Sequence, residues 1–251
     1  MIKQDLHTHT CYCDGKNTPE EMVKAAIDKG FTCIGLTGHG YCEGDEDWCM
    51  SKEGEAAYKA EVRALQAKYA GKIRILLGVE KDYYSVESNA DYEHVIGSVH
   101  VIEKDGVHIG IDNTAEELRN AVEQYYNGDP YALCEDYFKR VSEIVKKTGC
   151  NLIGHFDLVT KFIEKDPLFD TENPRYKAAW KAACDALLPE KVPFEVNTGA
   201  MHRGYRTSPY PSREIREYIV KNGGELVLTS DSHSTETLGF AFADYAENML
   251  K

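Results

Sequence analysis

His7 and His9 stand at alternate positions directly after a short apolar stretch, residues 2–6. If that stretch is a strand, the two imidazoles point to the same face where the strand ends. Imidazole is the commonest nitrogen ligand for transition metals in proteins. Asp231 and His233 repeat the spacing after an apolar run late in the sequence. The two pairs together predict one metal site, whereas either pair alone could be ordinary surface residues.

Four more potential metal ligands follow other apolar runs. They are His39, Glu80, His100 and His155. A single histidine in such a position is more often structural than a ligand. Six histidines and two carboxylates at equivalent positions are difficult to explain in that way. The carboxyl ends of barrel strands meet at one rim, where βα-barrel enzymes carry their chemistry.

The elements that must bring these residues together are strands alternating with helices. The apolar runs predict seven strands, at residues 2–6, 31–36, 73–79, 95–99, 151–154, 192–196 and 226–229. Helical spacing and helix-start signals, including a capping box at residues 18–21, fill most of the intervals. This alternation predicts a parallel α/β sheet. Seven such units favour one domain, residues 1–251, folded as a closed or nearly closed barrel.

The composition restricts the partners and the cellular environment. The formal charge of −13 disfavours a broad nucleic-acid-binding surface, and it repels small anions unless bound cations reverse the local field. The sequence has no apolar run of membrane-spanning length and no secretory leader pattern, so we expect a cytoplasmic protein without membrane contact. Its eight cysteines form no C-x-x-C pair, and we interpret them as reduced thiols.

The predicted ligands also indicate which ions would bind. Imidazoles mixed with carboxylates, without a cysteine cluster, favour zinc, iron or manganese over calcium. Eight ligands exceed the needs of one ion, so we expect two or three divalent ions, with Glu80 bridging two of them. Paired ions about 3.5–4 Å apart activate a shared water and stabilise the attacking and leaving oxygens of a phosphoryl transfer. These residues therefore predict phosphoester hydrolysis.

Short motifs along nearly the whole sequence resemble those of the polymerase and histidinol phosphatase (PHP) superfamily. The matching segments are Asp5-Leu6-His7-Thr8-His9, Thr37-Gly38-His39, Gly78-Val79-Glu80, Ile96-Gly97-Ser98-Val99-His100, Ile153-Gly154-His155-Phe156-Asp157-Leu158, Glu195-Val196-Asn197-Thr198-Gly199, Tyr210-Pro211-Ser212 and Ser230-Asp231-Ser232-His233. Residues 97–100, 155–158 and 197–212 resemble the monofunctional histidinol phosphatases in particular. The resemblance implies a distorted (β/α)7 barrel with its active site at the carboxyl-terminal rim of the strands.

The resemblance also implies a trinuclear metal centre with a ligand set for each ion. The first ion would take His7, His9, Glu80 and Asp231, the second Glu80, His100 and His155, and the third Asp14, His39 and His233. Asp14 has a simpler alternative, as a turn residue in Cys13-Asp14-Gly15. Glu195 stands inside its predicted strand, and we expect it to support the ligands.

The activity that the resemblance implies is hydrolysis of L-histidinol phosphate to L-histidinol and phosphate, a step of histidine biosynthesis, by attack of a metal-bridging hydroxide. The candidate catalytic residues are Glu80, Asp231, His233, Arg203 and Arg206. Arg203, Arg206 and Lys161 would bind the substrate's phosphate, unless they are ordinary surface charges. The expected partner is thus a small phosphate ester.

Three other functions are compatible with the same residues. A PHP phosphoesterase could act on another small phosphate ester or a nucleotide. A PHP domain could also bind metal without catalysis, although its ligand set would then be expected to have degraded. A metal-dependent amidohydrolase on a similar barrel usually has a metal-bridging lysine, which we cannot place in this sequence.

An acidic and aromatic loop follows His39 on the expected rim. The substrate-binding residues that it would contribute are Glu43, Asp45 and Trp48. Its carboxylates would hold the ammonium group of histidinol phosphate, and the indole would contact the cationic part of the substrate. An ordinary solvated acidic loop is the alternative.

Neutralising this loop separates the two interpretations. We expect the combined substitution of Glu43, Asp45, Glu46 and Asp47 by their amides to lower kcat/KM for L-histidinol phosphate by about 10-fold, since each exposed ion pair contributes about 0.2–1 kcal/mol. Hydrolysis of p-nitrophenyl phosphate, which has no ammonium group, should keep its kcat/KM. Equal losses on both substrates would contradict a specific role for the loop.

Overall fold

Nine strands organise the protein, for which a computed structural model describes residues 3–42 and 47–250. They are β1 (Gln4–Asp5), β2 (Cys33–Leu36), β3 (Arg74–Asp82), β4 (His94–Ser98), β5 (Val101–Lys104), β6 (Val107–Gly110), β7 (Leu152–Ile153), β8 (Phe194–Asn197) and β9 (Leu226–Thr229). Seven of them form one parallel sheet in the order β1-β2-β3-β4-β7-β8-β9, whereas β5 and β6 form a separate antiparallel hairpin.

The two edges of the seven-stranded sheet meet just beyond β1 and β9. Thr8 and Ser232 form a parallel bridge there. The backbone N–H of His9 donates to the carbonyl of Ser232 at 2.8 Å, and the N–H of Ser232 donates to the carbonyl of His7 at 3.2 Å. These bonds nearly close the sheet into a barrel. The predicted distorted (β/α)7 barrel is therefore confirmed.

Asp5 reinforces this closure from within the barrel wall. Its carboxylate is fully buried and accepts the backbone N–H of Ser230 at 3.1 Å and the N–H of Gly239 at 3.0 Å. The Ser230 hydroxyl also donates to it. A buried carboxylate is stable only when its oxygens are paired in this way.

Eight α-helices accompany the strands in the described residues. They are α1 (Pro19–Asp28), α2 (Lys52–Lys68), α3 (Ala115–Tyr125), α4 (Pro130–Thr148), α5 (Pro174–Leu187), α6 (Gly199–His202), α7 (Arg213–Lys221) and α8 (Phe242–Tyr245), with single 3₁₀ turns at Leu158–Thr160 and Leu188–Glu190. The capping box before α1 is confirmed, because the Thr18 side chain accepts the N–H of Glu21 and the Glu21 carboxylate accepts the N–H of Thr18.

The hydrophobic core lies between the helices and the sheet. One cluster joins most of the buried apolar side chains, from Met22 in α1 to Ile219 in α7. Tyr58 of α2 shows how closely the layers fit, because its hydroxyl donates to the carbonyl of Gly78 in β3 at 3.0 Å. A Cβ atom on Gly78 would lie 2.6 Å from Cγ2 of Thr37. Glycine therefore lets β3 approach the neighbouring chain two residues before Glu80.

Two features differ from the elements predicted by sequence. β3 continues to Asp82 instead of ending at residue 79, because residues 80–82 keep pairing with residues 96–98 of β4. Glu80 therefore lies inside its strand. The β5–β6 hairpin was not predicted, since its short strands follow β4 with little interruption.

No disulfide joins any of the eight cysteines, and no helix in the described part of the chain is long and apolar enough to cross a membrane.

Candidate metal centre and active site

The ends of the first and last strands bring two predicted ligand pairs together. The Nε2 atoms of His7 and His9, which follow β1, lie 3.1 Å apart. Oδ1 of Asp231, just beyond β9, lies 3.7 Å from Nε2 of His7 and 3.2 Å from Nε2 of His9. All three side chains are buried. Asp231 also has a left-handed backbone, with a φ of 48°, which is a strained conformation of the kind found at functional sites.

The predicted metal ligands lie together at the rim, and we call them the donor cluster because their nitrogen and oxygen atoms can donate electron pairs to a metal. Glu80 lies at the centre of the donor cluster and presents both carboxylate oxygens to imidazoles. Its Oε2 lies 3.1 Å from Nε2 of His7 and 3.1 Å from Nδ1 of His39. Its Oε1 lies 2.9 Å from Nε2 of His155 and 3.4 Å from Nε2 of His100. Each oxygen of Glu80 thus faces a different pair of imidazoles.

Asp14 lies within a third group of donors at the outer edge of the cluster. Its Oδ2 lies 3.0 Å from Nε2 of His233. Its Oδ1 lies 3.5 Å from Nδ1 of His9 and 3.8 Å from Nε2 of His39. Asp14 therefore lies next to other predicted ligands, although it belongs to a turn. His9 faces Asp14 through Nδ1 and Asp231 through Nε2. The sequence did not indicate that one histidine contacts both groups.

The protonation states of these side chains differ across the cluster. Burial alone would raise the pKa of Glu80, but His7 and the other neighbouring imidazoles lower it well below its usual value. Burial also opposes ionisation of Asp231, yet Arg203 and His7 lower the pKa of that carboxyl strongly. Burial lowers the pKa of His39 to about 3, so this imidazole is neutral at pH 7. Burial opposes protonation of His7, His9 and His100, but neighbouring carboxylates raise the pKa of His7 and of His9 well above its usual value and the pKa of His100 to about 9. Because metals bind ionised carboxylates and neutral imidazoles, ion binding at these three histidines displaces protons.

The potential metal-binding atoms of these side chains lie close together. The described residues contain three sets of donor atoms that each lie within 4.8 Å of one another. The sets are His9, Asp14, His39 and His233; His7, His9 and Glu80; and His39, Glu80 and His100. His100 and His155 each also bury an Nδ1 atom without a hydrogen-bond partner. Imidazole and carboxylate donors in these numbers fit divalent ions such as zinc, iron or manganese.

The donor cluster opens into a cavity of about 450 Å³, a size that suits a small molecule. Besides the ligands, its charged and aromatic lining includes Lys16, Trp48, Asp112, Lys161, His202, Arg203 and Tyr205. The indole of Trp48 meets the His39 ring edge to face, with centroids 4.7 Å apart. Trp48 therefore lies where the metal ligands and the cavity meet.

Arg203 connects a predicted metal ligand to this cavity. It follows α6, and its Nη2 donates to Oδ2 of Asp231 at 2.9 Å while its Nη1 lies 3.3 Å from Nδ1 of His233. A Cβ on Gly199 would lie 2.8 Å from Oδ2 of Asp231, so glycine at the start of α6 makes room for the pair. The guanidinium side chain remains partly exposed, at 34%, and can reach a bound anion.

The other predicted phosphate-binding residues are placed differently. Lys161 lines the cavity, where its Nζ donates to Oδ2 of Asp112 at 2.9 Å. Arg206 is not among the residues that line the cavity. It is 7% exposed, donates to the Thr160 hydroxyl and lies over the Tyr210 ring at 4.6 Å. The contact of Arg206 with substrate stays a prediction, and in this structure its guanidinium contacts Thr160, Ser208 and Tyr210.

Two predicted residues of the acidic loop, Glu43 and Asp45, lie outside the described residues. Trp48 of the same loop is described and lines the cavity. The described residue of this loop prediction therefore lies at the site.

Several residues at the site were not predicted from the sequence. The Ser98 hydroxyl donates to Oε1 of Glu80 at 2.6 Å, and the carboxylate of Asp82 accepts the N–H of His100 at 2.8 Å. Ser98 and Asp82 each stand two positions from a predicted ligand on a strand, so strand alternation could have found them. Lys16 reaches the cavity from a loop without a recognisable pattern.

A nearly closed parallel barrel with imidazoles and carboxylates converging at the carboxyl ends of its strands defines a metal-binding barrel hydrolase. The chain belongs to the PHP domain family, whose model matches residues 5–199.

Three of the similar proteins are named as histidinol phosphatases. A probable histidinol-phosphatase of Deinococcus radiodurans is 30% identical, over 96% of this chain and 90% of the relative. A solved structure from Listeria monocytogenes, named as a candidate histidinol phosphatase, matches with a TM-score of 0.85 at 21% identity, over 97% of this chain and 100% of the other. A Lactococcus lactis histidinol phosphate phosphatase, solved with zinc, L-histidinol and phosphate, matches with a TM-score of 0.71 at 20% identity, over 99% and 92%. The chain is thus an enzyme that resembles the histidinol phosphatases.

Replacing the central carboxylate tests the metal centre. We expect Glu80→Gln to lower the number of bound ions per chain and to reduce kcat by more than about 100-fold, because changes to groups that merely support ligands already cost 10–100-fold. Metal content would be measured by inductively coupled plasma mass spectrometry and folding by circular dichroism.

A matched control is Glu135→Gln, which removes a carboxylate of α4 that pairs with Arg175 of α5, away from the cluster. It should leave metal content and kcat unchanged. Full metal content and activity in folded Glu80→Gln would show that Glu80 does not bridge ions.

Proposed function

We propose that this enzyme hydrolyses the phosphomonoester of L-histidinol phosphate, releasing L-histidinol and inorganic phosphate, with two or three divalent transition-metal ions at the barrel rim. The observation that carries the proposal is the buried cluster of imidazoles and carboxylates that opens into a cavity beside Arg203 and Lys161. The names of its relatives favour this substrate, since a probable histidinol-phosphatase and two solved structures named for this activity match the chain.

The nine predicted ligands would hold the ions in overlapping sets. They are His7, His9, Asp14, His39, Glu80, His100, His155, Asp231 and His233. When bound, such ions supply an activated water and stabilise charge on the phosphoryl oxygens. Glu80 would join neighbouring ions because both of its oxygens face imidazoles. Ser98 holds this carboxylate in place by donating to Oε1.

Phosphate binding needs positive charge in a strongly acidic protein. The formal charge of −13 would repel an anionic substrate at long range, so cations at the rim must reverse the field locally. Arg203 is the best placed protein group, because its planar guanidinium can donate to phosphate oxygens while it keeps the contact with Asp231. Lys161 and Lys16 add positive charge along the same cavity.

Arg203 also couples binding to the metal ligands. It occupies Oδ2 of Asp231, which leaves Oδ1 facing His7 and His9. The pair therefore fixes the orientation of the Asp231 carboxylate. A phosphate bound by Arg203 would lie beside the ions, where the reaction takes place.

The imidazole and the ammonium group of the substrate need a different surface. Trp48 presents its indole beside His39 at the cavity, and such a ring attracts a cationic group. Asp112 also lines the cavity and offers a half-buried negative charge for the ammonium group, although Lys161 already pairs with it. Glu43 and Asp45 would add carboxylates from the acidic loop.

A substrate panel tests the activity on a sample of known metal content. We expect kcat/KM for L-histidinol phosphate to exceed the values for p-nitrophenyl phosphate, phosphotyrosine and a nucleoside monophosphate by at least about 100-fold, because groups placed for the histidinol part are left unpaired by the others. Chelator treatment should abolish the activity, and added zinc, manganese or iron(II) should restore it.

Each other result would point to a different function. Preference for another phosphate ester would assign a different substrate to the same centre. Bound metal without any hydrolysis would indicate a non-catalytic domain, and hydrolysis of an amide would indicate amidohydrolase chemistry. Full activity in metal-free protein would overturn the proposal.

The two arginines make a separable prediction. Arg203→Lys keeps the charge but loses the planar pair of donors, and we expect it to lower kcat/KM by about 10-fold or more, since hydrogen bonds to charged groups contribute about 1.5–3 kcal/mol. Arg206→Lys should lower the midpoint of thermal unfolding and leave kcat/KM within about 3-fold of wild type, because Arg206 is buried against Tyr210. A larger loss of kcat/KM in Arg206→Lys than in Arg203→Lys would reverse this assignment.

A further inference from the structure

Glu195 is a fully buried carboxylate next to the donor cluster, on the strand between β7 and β9. Its Oε2 lies 2.8 Å from Nδ1 of His7 and accepts the Thr229 hydroxyl at 2.8 Å. Its Oε1 accepts the side-chain amide of Asn197 at 2.9 Å and the backbone N–H of His155. Four protein groups thus surround the two oxygens, which leaves Glu195 poorly placed to bind an ion itself.

The contact with His7 selects one form of its imidazole. A carboxylate at Nδ1 holds a proton on that nitrogen, so Nε2 is the nitrogen that gives up its proton when a metal binds. That Nε2 atom faces Nε2 of His9 and Oε2 of Glu80, both at 3.1 Å. Glu195 therefore prepares His7 to bind a metal through Nε2.

The contact with His155 acts through the backbone. The N–H of His155 comes just after β7, and its bond to Glu195 fixes where the chain leaves the strand. The imidazole of His155 then reaches Oε1 of Glu80 at 2.9 Å. His7 and His155 thus face opposite oxygens of Glu80, and Glu195 holds both of them.

We propose that Glu195 is a positioning residue that sets His7 and His155 together, so that the ions on the two sides of Glu80 depend on one buried carboxylate. This inference rests on the metal centre of the proposed function, but not on the identity of the substrate. Loss of Glu195 should then weaken the binding of metal ions on both sides of Glu80 rather than on one side.

Metal titration of the whole protein tests the inference without any substrate. We expect Glu195→Gln to weaken Zn²⁺ binding by about 10–100-fold at both positions, measured by competition with a chromogenic chelator. The visible spectrum of the Co²⁺-loaded protein should also change, because the His7 tautomer is no longer fixed. Glu195→Asp keeps the charge and the acceptor oxygens, and it should recover part of the affinity.

Two further variants control for folding. Asp157→Asn changes an equally buried carboxylate, which accepts the N–H of Ser212, and it should keep wild-type Zn²⁺ affinity. Thr229→Val removes one donor to Glu195 with little change in shape, and it should weaken Zn²⁺ by about 2- to 10-fold even if Glu195→Gln does not fold.

The outcomes separate this inference from the proposed function. Wild-type protein that binds no Zn²⁺ or Co²⁺ would overturn the metal centre itself. If the wild type binds both ions, unchanged affinity and spectrum in folded Glu195→Gln would overturn the role of Glu195 alone. Unchanged affinity in Thr229→Val, or Glu195→Asp no better than Glu195→Gln, would also contradict it.

Discussion

The barrel closes between its first and last parallel strands, and the candidate site depends on that closure. Backbone bonds between residues 7–9 and Ser232, together with the buried Asp5 carboxylate on Ser230, hold the two edges in register. Register decides which face each side chain takes, since a slip of one residue would turn it to the other face. Closure in this register places His7 and His9 beside Asp231, although more than two hundred residues separate them in sequence.

Within the nearly closed barrel, the placement of the charged side chains matters more than the net charge. The protein as a whole is strongly acidic, yet its buried carboxylates concentrate attraction for cations at one rim. Arg203 takes part in the same balance, because it faces both Asp231 and the cavity. Neighbouring protein groups also hold the ligands, as Ser98 does for Glu80. These contacts restrict the positions of the ligand side chains, which reduces the reorganisation that binding requires.

Much of this arrangement could be read from sequence because the strands are apolar runs that end in polar side chains. That pattern placed His39, His100 and His155 at one rim. It could not show that β3 continues past Glu80, since pairing with β4 and not composition sets the strand's end. The burial of Arg206 was equally hidden, because an arginine in a loop has the same sequence appearance whether it faces solvent or stacks on Tyr210. Contacts between distant loops, such as Lys161 with Asp112, leave no local pattern.

The pairing of β1 with the strand-end residues after β9 has a consequence for biosynthesis. His7 and His9 leave the ribosome long before Asp231 and His233 exist, so a growing chain exposes imidazoles without their partners. Contacts of such long sequence separation form late, because the entropy of closing the loop must be overcome first. A metal ion that needs ligands from both ends of the chain can therefore bind in full only late in maturation, and a nascent chain that captured an ion earlier would have to release or rearrange it.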